Sequence, residues 1–123
     1  MAWQDKVVES DPRKFLWEIL VPTEKRVPEG PTSNLYYTTR FHRVWDAKVR
    51  EMTGGLTIMQ PIRGEWVSED AKLYRERNIP VRIVCTRDQI NAIVDMTLVY
   101  YDQLAVMAYK VSDEVILRER KLP

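Results

Sequence analysis

The stretch Asn78-Ile-Pro-Val-Arg-Ile-Val-Cys-Thr-Arg-Asp-Gln89 turns a strand into a helix, and its reading sets the fold. Val81, Ile83 and Cys85 alternate with Arg82 and Val84, the pattern of a strand that is apolar on both sides. Thr86 and Gln89 then stand at capping-box spacing, the hydroxyl placed to take a backbone N–H and the amide to reach back. A helix therefore begins at once, with Ile90, Ile93, Val94, Thr97, Tyr100 and Tyr101 on its apolar face, and runs to about Gln103. Pro80 has no N–H to give a ladder, so it predicts an edge, a bulge or a kink where the strand enters the sheet.

Upstream lies the partner of that strand. Leu56-Thr-Ile-Met59 opens a strand that continues through Arg63-Gly-Glu-Trp-Val67, Ser68-Glu-Asp-Ala71 supplies the turn, and the return arm runs from Lys72 to Cys85. Gly54-Gly55 offers the left-handed stop of a preceding helix, from about Thr38 to Thr53, on which Phe41, Val44, Trp45, Val49 and Met52 recur at helical steps. Pro22 to Asn34 carries three prolines, a glycine and four charges and reads as an exposed connection. Phe15-Leu-Trp-Glu-Ile-Leu-Val21 before it reads as a buried strand, and residues 1–13 as a peripheral or flexible arm. Downstream, Leu104-Ala-Val-Met-Ala-Tyr-Lys110 reads as a strand, Ser112-Asp113 as a turn and Val115-Ile-Leu117 as a short extra strand.

The order is two split β-α-β units, which predicts an α+β, ferredoxin-like plait over residues 14–123, with a long hairpin and a short extra C-terminal strand. Right-handed crossovers put both helices on one face of the sheet. The other face would then show Leu16, Leu20 and Val84 to solvent, so a homo-oligomer that covers it is expected. Glu18 and Arg82 fall on that same face of neighbouring strands, either as an ion pair that fixes subunit register or as charged groups lining an interface pocket.

At 123 residues the chain has the length of one domain, and 19 basic against 18 acidic residues leave a net charge of +1. No global field attracts nucleic acid or a membrane surface, and the strand before the capped helix lacks the aromatics that stack bases. No apolar run of the ~18 residues needed to span a bilayer is present, and the charged start lacks the core of a signal peptide. A cytoplasmic protein is expected. Cys85 is the one cysteine and His42 the one histidine, which gives no zinc-ligand set, and no metal or cofactor is expected. His42 reads as an exposed or half-buried helix residue, with Asp46 one turn on the only support for base chemistry; Cys85 and Trp45 read as packing residues.

The Gly55 to Cys85 hairpin, the capped helix and Tyr100-Tyr-Asp-Gln-Leu-Ala-Val-Met-Ala-Tyr109 resemble the PII and CutA group of ferredoxin-like proteins. That resemblance implies three subunits packing their sheets inward, with the hairpin reaching a neighbour. Ile79 to Thr86 and on to Tyr109 is also similar to the corresponding part of phage S-adenosylmethionine lyases. In the hairpin, Arg63, Glu65, Trp66, Tyr74 and Glu76 are candidate ligand contacts, with Glu18 and Arg82 on the sheet. Arginine suits an anionic group, a carboxylate a base or a cation partner, and Trp66 a stacking surface. The bland alternative is a set of alternating charges that protects an exposed strand from edge pairing. A small ligand at subunit interfaces, anionic or adenosyl-containing, is the expected function. An interface-site enzyme, of the S-adenosylmethionine lyase or dimeric α+β barrel type, and an interaction module without catalysis stand beside it, and no catalytic residue is assigned.

Overall fold

A computed structural model describes residues 11–26 and 35–123. The elements are β1 (Lys14–Pro22), α1 (Thr39–Thr53), β2 (Thr57–Ile58), β3 (Ile62–Val67), β4 (Leu73–Thr86), α2 (Arg87–Tyr100) and β5 (Ala108–Ser112). The sheet runs β2-β4-β1-β5, with β3 extending beyond β2 along the same side of β4. All pairings are antiparallel. This is the expected α+β plait. The expected arm lies mostly outside the described residues, as do residues 27–34 of the connection after β1.

Phe15, Trp17, Ile19 and Val21 of β1 and Val81, Ile83 and Cys85 of β4 turn toward the helices and form one core with Trp45, Val49, Ile90, Ile93 and Tyr101. The helices are also stitched together by polar bonds. Trp45 donates its indole N–H to Thr97 Oγ at 2.9 Å, Tyr100 its hydroxyl to the Phe41 carbonyl at 2.8 Å, and Gln89 its amide to the Met52 carbonyl at 3.0 Å. The caps form as expected. Thr86 and Gln89 make both halves of the capping box, and Gly54 closes α1 at φ 91°, which costs an L side chain but not glycine.

Three details differ from expectation. The outbound arm of the hairpin is two strands rather than one, because four residues lead from Ile58 to Ile62 where three lead from Val81 to Asn78. That extra residue is a bulge. The Pro80 carbonyl accepts from Met59 N–H at 2.9 Å, so its missing N–H also faces the bulge, where the ladder is already broken. Next, β5 starts at Ala108 rather than Leu104, since Leu104 to Met107 is the turn that brings the chain back from α2. Lastly, Val115 to Leu117 forms no strand: Ser112 Oγ binds the Glu114 N–H and carbonyl, turning the chain off the sheet, and Ile116 and Leu117 stay exposed.

Candidate functional site

No described helix covers the second face of the sheet, and strand register places its residues in rows. Thr57, Arg82, Glu18 and Tyr109 stand side by side across β2, β4, β1 and β5. Leu16 and Val84 form the row on one side, Leu20 and Pro80 the row on the other. Glu18 is the buried charge of this face, with its side chain 8% exposed against 40% for Arg82. Arg82 Nε donates to one carboxylate oxygen at 2.9 Å, and the Tyr109 hydroxyl donates to the other. A carboxylate so placed is stable only while both donors remain, because an unpaired buried charge costs several kcal/mol, of order 3.

Along β4 the same alternation carries this face out into the hairpin. Tyr74 and Glu76 lie on it, with Trp66 opposite Tyr74 across the ladder. The two rings stack at 4.5 Å between centroids and 13° between planes, and the Trp66 indole N–H donates to Glu76 Oε1 at 3.0 Å. Lys72 Nζ sits 5.1 Å from the Tyr74 ring centre. The two rings turn one face on each other and Lys72 lies over Tyr74, so the exposed side of Trp66 is the aromatic surface left, with a carboxylate at its edge. It can stack a planar ring and hold a positive group beside it.

The expected site residues thus divide between two faces. Glu18, Arg82, Trp66, Tyr74 and Glu76 share the uncovered face; Arg63 and Glu65 point to the opposite side of the hairpin. There Glu65 pairs with Arg75 across the ladder at 2.8 Å, and Arg63 stands opposite Arg77. A single cleft lined by all seven is therefore not what the register of one chain provides, because Arg63 and Glu65 are odd-numbered against an even-numbered partner row. Tyr109 and Arg77 were not singled out by sequence. Their signal is pairing register, which alternation within one strand does not carry.

His42 is half-buried, and Tyr101, fully buried, brings its hydroxyl 2.7 Å from His42 Nδ1. Burial lowers the histidine below its usual range and raises the phenol, so the hydroxyl donates to a neutral imidazole. Burial also raises Asp46, one turn along α1. Tyr37, Phe41 and Tyr100 continue this group as a stack, at 4.7 and 4.2 Å between neighbouring rings. A cavity of about 310 Å³ lies beside them, but its Arg26 is engaged by Asp102 and its ring faces are turned on each other. Cys85 and Trp45 are buried, as packing residues would be. Among the described residues no group of three His, Cys, Asp or Glu side chains is placed to hold a metal ion.

No family model matches the sequence, and no curated protein matches it. Solved structures do. A phage SAM lyase in complex with S-methyl-5'-thioadenosine superimposes with a TM-score of 0.59 at 13% identity, over 87% of each chain. The divalent cation tolerance protein CutA1 of Thermus thermophilus gives 0.55 at 7% identity, over 88% of this chain and 87% of that one. CutA1 of Ehrlichia chaffeensis gives 0.52 at 11% identity, over 84% and 83%. At these identities the likeness is one of fold, and the fold is the one CutA1 and the phage lyase share.

Proposed function

We propose that the chain works in the cytoplasm as a homo-oligomer, a trimer, assembled through its uncovered sheet face, and binds a small ligand where that face meets a neighbour's hairpin. One observation carries the reading. A sheet face with Leu16, Leu20 and Val84 half-buried around a buried, doubly held Glu18 is built to be covered, and no described element of the same chain covers it. Likeness of fold to CutA1 and to the phage lyase supports the inward packing of sheets that the sequence resemblance implies. The ligand fits an adenosyl compound: Trp66, backed by Tyr74, offers a stacking surface on its exposed side, Glu76 an acceptor for a positive or N–H group, and Arg82 a donor for an anionic one.

Thermal unfolding with S-methyl-5'-thioadenosine and with adenine nucleotides tests this. The expected result is a rise in Tm for at least one of them, lost in Trp66→Ala and Glu76→Gln while the assembly keeps its mass. An intact assembly indifferent to every compound would end the ligand reading. The enzyme reading shares this site, and turnover of such a compound, abolished in Glu76→Gln or Glu18→Gln with the assembly intact, would establish it.

A further inference from the structure

The outer side of the hairpin, away from the uncovered face, carries an arrangement that the proposed interface site does not use. Arg63 stands directly opposite Arg77 in the β3–β4 ladder. The Arg77 carbonyl accepts from Thr23 N–H at 3.2 Å and from Thr23 Oγ at 2.8 Å, so the backbone of Arg77 faces the β1 side. The Arg63–Arg77 pair is therefore a non-hydrogen-bonded one, the kind in which opposed side chains come closest. Like charges in that position destabilise a hairpin.

The next pair on the same side shows the ordinary solution. Glu65 faces Arg75, and the two make an ion pair at 2.8 Å. At position 63 the chain places arginine where a glutamate would give a second such pair. Both arginines are exposed, neither has an ion pair among the described residues, and Glu65, the next residue along that side of β3, is occupied by Arg75. Two guanidinium forks side by side, each offering parallel N–H donors, match the oxygens of one tetrahedral dianion.

We infer that Arg63 and Arg77 form a binding site for a single phosphoryl dianion, such as a phosphate monoester. Glu65 and Arg75 beside them are engaged with each other and together add no net charge, so the site offers one pair of guanidinium groups, and a polyanion such as nucleic acid gains little over one isolated group. Within the β3–β4 ladder this side carries no aromatic ring, so recognition by the hairpin is confined to the oxyanion. This site stands independently of the proposed interface on the other face.

The test uses the full chain, with inorganic phosphate and phosphoserine as probes and chloride added to hold ionic strength constant. Calorimetric titration and thermal unfolding are the readouts. Binding of both probes is expected, weakened by about tenfold or more in Arg77→Gln, the scale of one lost charge-assisted contact. Arg63→Glu supplies the missing carboxylate. It is expected to unfold at a higher temperature than the native chain in phosphate-free buffer and to lose the response to phosphate. A single-stranded oligonucleotide is expected to bind no tighter than phosphoserine, and tighter binding would replace the monoester with a nucleic-acid backbone. Native protein that ignores phosphate at low ionic strength, or a response unchanged in both variants, would overturn the assignment.

Discussion

Glu18 and Arg82 show how unequal the two members of one ion pair can be. The carboxylate is buried and the guanidinium is 40% exposed, so each leaves a different residue of cost when its partner is removed. Arg82→Gln strands a buried carboxylate with one hydroxyl, and should cost about 3 kcal/mol, the low end for a broken buried pair because Arg82 is partly solvated. Glu18→Gln keeps the shape and leaves Arg82 a carbonyl acceptor, and should cost about 1 kcal/mol. Urea unfolding at one fixed protein concentration measures both, and equal losses would contradict the asymmetry. His42 gives a pH signature at the same scale. Burial holds its folded pKa below the unfolded value of 6.5, so the unfolded chain takes the proton first. Stability should be full above pH 6.5 and fall as pH drops from there toward the lower folded value, where the loss levels off. Asp46, raised by burial, works in the opposite sense, its contribution falling as pH rises from 3.8; Arg43, Arg50 and Tyr101 complete the charged and titratable surroundings of the pair. Tm against pH for His42→Gln should lose the step below pH 6.5 and keep the carboxylate's. An unchanged step would assign it elsewhere.

Elements show what a single strand's alternation can and cannot say. The capped helix and both buried strands were legible, because Thr86, Gln89 and the apolar steps around them act locally. The bulge between β2 and β3 was legible in part: Pro80 announced a defect, but only pairing shows that the extra residue is on the opposite arm. For the same reason the sequence grouped Arg63 and Glu65 with Tyr74 and Glu76, whereas register sets them on opposite sides. Val115 to Leu117 has strand composition and no strand, since composition cannot supply a neighbour. Gln89 is tied to two elements at once, its Oε1 accepting from Thr86 N–H and its Nε2 donating to the Met52 carbonyl. Gln89→Glu keeps the first bond and loses the second, and should cost about 1 kcal/mol, one net hydrogen bond. Gln89→Ala loses both bonds and should cost more, and a Gln89→Glu variant as stable as the native chain would deny the helix–helix bond any weight. At the hairpin tip Ala71 holds φ at 63°, a conformation that costs an L residue about 1 kcal/mol, so Ala71→Gly should raise stability by up to that amount, less the entropy glycine adds to the unfolded chain. A fall in Tm would show the left-handed turn to be stabilised by the alanine itself.

At the scale of the whole molecule, the chain invests its apolar residues on both sides of one sheet and covers only one side with its described helices. Leu16, Leu20 and Val84 on the uncovered face and the aromatic arm at Trp66 and Tyr74 continue one surface from sheet to hairpin. The fold was legible because its core is written within one chain; a ligand site of the kind proposed, shared by several copies, would be written half in each. The central claim is that this surface is an interface between copies of the chain. Light scattering coupled to size exclusion, run across a hundredfold range of protein concentration, measures it most directly. The expected result is a stable mass three times the 14.6 kDa of one chain, shifted toward the single-chain value when Leu20→Asp places a charge at the centre of the face. A mass of one chain at every concentration would contradict the account.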